Sequence, residues 1–214
     1  MIKVIKQILP KDRHYHLAVS MGIDSVAALM WLRSKGYKVT PLHFNHNLRS
    51  QNGTMQNKFL ELCSFLGLEG KTDVGINLKT EAECRDARLN FYSKATQGGT
   101  IITAHHLNDW IESYLLNCLR GHPAKHPFEL ESKFPNFNVI HPFLPSRKED
   151  FKQFLERNGW MEWVVQDESN SVVKGSRRNW IRGAMIPQMK SQKLSLEKYA
   201  KRRIEKLAVD KTPQ

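Results

Sequence analysis

The chain has 214 residues, of which 40% are hydrophobic, and a formal net charge of +12. That length supports one full α/β domain plus a small appendage. No apolar run approaches the ~20 residues of a membrane span, and the start, MIKVIKQILPKDRHYH, is too short in its apolar part and too charged for a signal peptide. A cytoplasmic protein with no membrane partner is therefore expected. Three widely spaced cysteines, Cys63, Cys84 and Cys118, form no C-x-x-C pair, which argues against a disulfide framework, a zinc ribbon or an iron–sulfur centre.

The first predicted strand, His16–Val19, runs into the bend Ser20-Met21-Gly22-Ile23-Asp24-Ser25 and then a helical pattern over Ser25–Ser34. Backbone N–H groups and a helix N-terminus converge at such a bend, so it can receive an anion, with the serine hydroxyls as further donors. Asp24 there is a candidate Mg²⁺ ligand, because that ion bridges phosphate oxygens and prefers carboxylates and water. An ordinary Ser/Asp helix cap is the alternative.

A second strand, Lys38–Phe44, leads into "LHFNHNLR", where His43, Asn45 and His46 are candidates for a nucleotide pocket and Arg49 for a phosphate or RNA contact. Helical patterns follow over Thr54–Leu66 and Glu81–Ala95; the latter places Arg85 and Arg88 at i, i+3 on one face. A third strand, Thr100–Ala104, feeds "TAHHLNDWIES" and a helix over Leu107–Leu119. His105 and His106 sit at that strand end, and Asp109 and Glu112 share a helix face one turn in. Two carboxylates so placed would grip an ammonium group; the alternative is a helix-dipole contribution from acids in the first turn. Nine histidines include close pairs, but no His-Glu-x-x-His helix or cysteine partner completes a zinc site.

Strands alternating with helices predict a parallel sheet with helices on both faces. Ligands in such sheets bind beyond the carboxyl ends of the strands. Residues 1–121 are expected to form this nucleotide-binding domain. Residues 122–145 carry five prolines and little periodicity, and read as a loop-rich connection. Residues 146–214 are expected to hold the remainder of the catalytic domain and a small basic helical extension. The helix after Ser146 is expected to open on a capping box from Ser146 to Glu149 and to stop at Gly159.

From Arg177 two basic helices broken near Pro187 are expected, with Arg178, Asn179 and Arg182 on the first and Trp180 packed inward. From Lys174 to Gln214, twelve Lys and Arg face only Glu197, Glu205 and Asp210. A basic end of that kind suggests nucleic acid, or else a solvated helix face.

Five segments in order, the Ser20–Ser25 bend, "LHFNHNLR", "ECRDARLNF", "TAHHLNDWIES" and "DESN…RRNWIR", resemble the tRNA(Ile)-lysidine synthase family of the PP-loop ATP pyrophosphatases. The family's corresponding elements read roughly Ser-Gly-Gly-x-Asp-Ser, His-x-Asn-His-x-Leu-Arg, Ala-Arg-x-x-Arg-Tyr, His-His-x-x-Asp-x-x-Glu-Thr and Asp-x-Ser-Asn…Arg-Asn-x-Ile-Arg. The resemblance runs from about His16 to Pro187. It implies an adenine nucleotide alpha hydrolase-like, Rossmann-like fold, here in a short form without the C-terminal domains of larger relatives.

It also implies a reaction. ATP, with Mg²⁺, adenylates the wobble cytidine of a CAU-anticodon, isoleucine-accepting tRNA. Free lysine then attacks to form lysidine, with release of AMP and pyrophosphate, which makes the enzyme a carbon–nitrogen ligase. By resemblance, Ser20–Ser25 bind ATP and pyrophosphate; His43, Asn45, His46, Arg49, His105 and His106 line the nucleotide pocket. Asp109 and Glu112 receive lysine, and Arg85, Arg88, Arg178, Asn179 and Arg182 meet tRNA or phosphate. The chain departs from the pattern at Met21, where the family has glycine, at Cys84 for alanine, at Leu89 for tyrosine and at Ser113 for threonine. Two other readings stay open: a different tRNA-modifying PP-loop enzyme such as a thiolase, and a tRNA-binding module that has lost catalysis.

Overall fold

The computed structural model describes residues 1–47, 51–165 and 177–210, apart from the side chains of residues 51 and 52. Six strands form one sheet in the order β3-β2-β1-β4-β6-β5. They are β1 (His14–Ala18), β2 (Lys38–Asn45), β3 (Lys71–Val74), β4 (Thr100–Ile102), β5 (Glu131–Phe134) and β6 (Phe137–Ile140). Strands β3, β2, β1, β4 and β6 are parallel, and β5 closes one edge antiparallel to β6.

The helices are α1 (Ile23–Ser34), α2 (Gln51–Phe65), α3 (Glu81–Thr96), α4 (Leu107–Leu119), α5 (Lys148–Arg157), α6 (Arg177–Trp180), α7 (Ile186–Ser191) and α8 (Glu197–Val209). Adjacent residues of one strand point to opposite faces, and the core divides accordingly. Ile102 and Ile140 pack with α1 and α5 through Val26, Leu29, Phe151 and Leu155. Ile101 and Val139 pack with α3 through Phe91 and Tyr92 on the other face. The sheet is thus covered on both sides, which buries its parallel strands. A further cluster joins Leu107 and Trp110 of α4 to Ala200 and Ile204 of α8.

Local chemistry explains the element ends. Helix α3 opens on a capping box in which Thr80 Oγ1 accepts from Glu83 N (3.2 Å) and Glu83 Oε2 accepts from Thr80 N (2.9 Å). The chain from α1 to β2 leads to one side of β1, whereas β4 and β6 lie on the other side. The crevice where a doubly wound sheet binds ligands therefore opens between the ends of β1 and β4.

Three expectations need correction. The segment 122–145 contains β5 and β6, joined at Pro135 and Asn136, and β6 extends the sheet beside β4. The prolines fall outside both strands, so none removes a ladder hydrogen bond. At the start of α5 the cap is Arg147, whose N–H is accepted by Asp150 Oδ2 (2.9 Å). Ser146 Oγ instead bonds the backbone N–H and C=O of Lys3, each at 2.7 Å. Finally, Pro187 does not break the chain into two helices. Residues 177–191 wind continuously, with a π-helical turn at Ile181–Met185. Proline clashes with the carbonyl four residues back, here Gly183, and the widened turn removes that conflict. The break comes at 192–196, before α8.

Candidate active site

The Ser20–Ser25 bend follows β1, whose pairing continues through Val19 N donating to Leu42 O (2.8 Å). Met21 adopts a left-handed backbone, φ 63°, and its side chain is fully buried at 0% exposure. Its carbonyl accepts from Val165 N (2.9 Å), tying the bend to the segment after α5. Gly22 is the N-cap of α1 in extended geometry. A Cβ there would meet only Ser20 Oγ, at an ordinary 3.6 Å, so the protein's own packing does not demand glycine at that position. Ser25 Oγ donates to Gly22 O (3.1 Å), accepts from Ser20 N (3.1 Å) and lies 3.2 Å from Ser20 Oγ. These hydroxyls stiffen the bend from within. Ile23 is the first helical residue.

The second strand end faces the bend. His43, buried, has Nδ1 2.8 Å from Val19 O, so that nitrogen carries the proton, and its ring stacks on Phe59. Burial lowers its pKa, which keeps the ring neutral. Asn45 is committed internally: its Nδ2 donates to Gln56 Oε1 (2.8 Å) and its Oδ1 accepts from Asn47 N (2.8 Å). His46 lies edge-on to Phe44, its pKa lowered by burial and then by the Arg88 charge. Arg88 thus approaches this end of the sheet, while Arg85 is exposed. Arg49 and the Asp167–Asn170 motif lie outside the described residues.

The α4 end brings the acids together. His106 caps α4: its Nδ1 lies 3.3 Å from Asp109 N, and its backbone N donates to Asp109 Oδ2 (3.0 Å). Its other ring nitrogen, Nε2, lies 3.3 Å from Asp24 Oδ1. That Asp24 oxygen is buried and has no well-aligned hydrogen bond, so the 3.3 Å approach is a close carboxylate–imidazole contact. Asp24, His106 and Asp109 therefore link the start of α1 to the start of α4 across the β1–β4 crevice. Burial lowers the His106 pKa, but Asp24 and Asp109 outweigh it and the net shift is upward. Asp24 moves down: burial raises it, and His106, Lys148 and Arg182 more than reverse that.

One turn further on, Glu112 is only 2% exposed and is held by Arg182 in a two-pronged pair, Nε to Oε1 at 2.7 Å and NH2 to Oε2 at 2.8 Å. Asp109 Oδ1 lies 3.8 Å from the same guanidinium. Arg178 donates to Ser113 Oγ, and Asn179 neighbours it on α6. The π turn thus places Arg182 against the acids of α4. His105 turns away from them. Its Nδ1 lies 2.9 Å from Thr103 Oγ1 and 3.2 Å from His141 Nδ1, and its ring packs on Phe128. Burial lowers both histidines, His141 to about 3.

Thr103, His141 and Lys148 were not singled out by sequence reasoning. His141 follows β6, in the segment read as loop, and Lys148 follows the misplaced cap. An open hollow lined by Ser93, Gln97, Asn136 and Asn138 at the β5–β6 turn contains none of the groups above.

A PP-loop domain family model matches residues 1–189. The chain belongs to the PP-loop domain family. Within it, the chain is 29% identical over 199 residues to the tRNA(Ile)-lysidine synthase of Coxiella burnetii (strain RSA 493 / Nine Mile phase I), covering 86% of this chain and 44% of that protein. It is 30% identical over 195 residues to the enzyme of the same name from Staphylococcus aureus (strain MW2), covering 82% and 44%. This PP-loop chain therefore matches under half the length of those curated relatives, and its resemblance to the tRNA(Ile)-lysidine synthases rests on the shared PP-loop region. The U34-tRNA thiolase NcsA from Methanococcus maripaludis shares the fold, with a TM-score of 0.73 at 13% identity, over 98% of this chain and 78% of that one. The C-terminal basic helices, α6 to α8, complete the architecture. No helix among the described residues is long and apolar enough to cross a membrane.

Proposed function

We propose that this PP-loop protein is a tRNA(Ile)-lysidine synthase, a ligase that adenylates the wobble cytidine of a CAU-anticodon tRNA and joins free lysine to it, releasing AMP and pyrophosphate. The observation that carries this reading is the Asp24–His106–Asp109 chain, 3.3 Å and 3.1 Å from ring nitrogen to carboxylate oxygen, linking the pyrophosphate bend to the acids of α4. An enzyme that activates with ATP and then admits an amine needs both sites at one reacting carbon.

In this reading the backbone N–H groups of the bend and the α1 N-terminus take the pyrophosphate, where negative charge develops as the adenylate forms. Gly22 leaves that backbone uncovered. The carboxylate of Asp24, with its under-bonded buried oxygen, suits Mg²⁺, which would supply neutralising charge to the phosphates. His43, His46 and Arg88 border the nucleotide. Asp109 and Glu112 receive the lysine ammonium. Because Glu112 is already engaged, the amine enters beside Asp109 and competes with Arg182 for the second acid. Arg178, Asn179 and Arg182 line the tRNA side.

The test is incubation of the protein with ATP, labelled lysine and unmodified CAU-anticodon tRNA, following pyrophosphate and label together. Lysine-dependent label on the tRNA, with one pyrophosphate released per lysine, is expected. Pyrophosphate release without lysine incorporation would assign the chain to another adenylating tRNA modification. Tight tRNA binding with no pyrophosphate would leave a binding module.

A further inference from the structure

Trp180 was expected to pack inward, yet it is 52% exposed. The other four tryptophans each lie against another aromatic ring: Trp31 on Tyr37 and Phe143, Trp110 on Tyr114, Trp160 on Phe154, and Trp163 on Phe65. Trp180 has no such partner among the described residues. The helix explains its orientation. Arg178 and Arg182 are one turn apart, and both face α4, where they bond Ser113 and Glu112. Two residues beyond Arg178 is a rotation of ~200°, so Trp180 stands on the outer side. Gly183 and Ala184, three and four positions on, are too small to cover the ring.

The helical segment that carries Trp180 has side-chain charges of one sign. Residues 177–191 contain Arg177, Arg178, Arg182 and Lys190 and no acid, and Arg177, at i−3 from Trp180, is exposed on the same side. An exposed indole beside an exposed guanidinium matches a ligand that offers both a flat π face and a phosphodiester. An unpaired nucleotide offers both; a base inside a duplex hides its face, and an acidic peptide lacks the regular pairing of the two.

We infer that Trp180 is a stacking platform for an unpaired base of the substrate RNA loop, other than the base that reacts, with Arg177 at its flanking phosphate. The inference rests on the proposed action on tRNA. It makes Trp180 a positioning residue: the inner side of the 177–182 helix forms the α4 ion pairs, and the outer side fixes how the loop arrives.

The experiment measures binding of a hairpin RNA with a seven-nucleotide CAU loop, and of a fully paired duplex with the same stem, to the wild type, Trp180→Phe and Trp180→Ala. Thermal melting of each variant is recorded alongside. Trp180→Ala should weaken loop binding by between about five- and a hundredfold, Trp180→Phe by about threefold or less. Duplex binding and melting temperature should stay unchanged in both. Loop binding should also quench wild-type tryptophan fluorescence more than that of Trp180→Phe. If the wild type binds the loop and Trp180→Ala binds it equally well, the platform is wrong while the tRNA reading stands. Equal losses on loop and duplex would likewise overturn stacking. If the wild type binds neither RNA, the tRNA reading falls and the platform with it.

Discussion

Replacing Met21 by glycine separates two effects that the bend combines. A left-handed backbone costs an L-residue about 1–2 kcal/mol, and Met21, at φ 63°, carries that cost. Its side chain is at 0% exposure and belongs to the main core cluster with Leu17, Val26 and Phe151. Truncating a buried methionine costs about 2–5 kcal/mol. The second effect exceeds the first, so Met21→Gly should destabilise by about 1–3 kcal/mol. For a protein of this size that lowers the melting temperature by roughly 3–10 °C. Met21→Ala keeps the left-handed cost while losing nearly the same packing, and should be less stable than Met21→Gly by about 1 kcal/mol. Denaturant and thermal melts of the three proteins give both differences. Below the lowered melting point, Met21→Gly should retain pyrophosphate release, since glycine adopts the same φ. A Met21→Gly protein more stable than wild type would refute the packing argument; equal stability of the Gly and Ala variants would refute the backbone argument.

Glu112→Gln should destabilise by about 2–4 kcal/mol, because it strands a guanidinium in a largely buried pair, and Glu112→Gln with Arg182→Met should recover part of that loss in a double-mutant cycle. His106 has its pKa raised by Asp24 and Asp109 against the lowering effect of burial. Its contribution is therefore fully present below its ordinary 6.5 and lost as pH rises through the higher folded value. Asp24→Asn should flatten the fall in melting temperature as pH rises above about 6.5, and unchanged slopes would remove His106 from the linkage. His16 and His141 are shifted the other way, to about 4 and about 3, so stability should fall as pH drops below 6.5 toward those values. On α8, Lys198, Arg202 and Lys206 are exposed at successive turns. Changing all three to glutamine should lower the slope of log affinity for tRNA against log salt by about 0.7–0.9 for each phosphate they neutralise. An unchanged slope would assign them to solvent.

The parts of the fold visible in the sequence are those in which local pattern and tertiary role coincide. Helix α4 spans Leu107–Leu119 as expected, because the capping pair His106 and Asp109 lies within the segment itself. Strand β3 was missed because Lys71–Val74 is an edge strand, largely exposed, with no apolar alternation to betray it. Strands β5 and β6 were hidden by the prolines around them, although Phe134 and Phe137 stack across their turn at 4.7 Å. The α5 cap was misplaced because Ser146 answers to Lys3, 143 positions away in the chain, and no local signature encodes that partner. The continuous helix through Pro187 depends on a π turn that propensity alone does not announce.

The candidate site divides along the same line. The placement of the bend and of the His105–His106 segment at strand ends was legible, since both follow a short apolar strand and precede a helix. What each side chain does there was not, because its partners lie on other elements. Asp109 and Glu112 look equivalent in sequence, two acids on one face of one helix. Their environments make them different. Asp109 caps its own helix through His106 and lies 3.8 Å from Arg182, whereas Glu112 is gripped at 2.7 and 2.8 Å by the same guanidinium from 70 positions away. Half-reaction measurements on Asp109→Asn and Glu112→Gln turn that difference into an outcome. Losing a charge-assisted bond of ~1.5–3 kcal/mol at Asp109 should raise the lysine requirement on the order of tenfold or more, with little effect on adenylation. Glu112→Gln should also impair tRNA adenylation, because it frees Arg182 and the helix that presents Trp180. If both variants change only the lysine requirement, and equally, the two acids are equivalent. The Arg182 pair would then play no part in the first half-reaction.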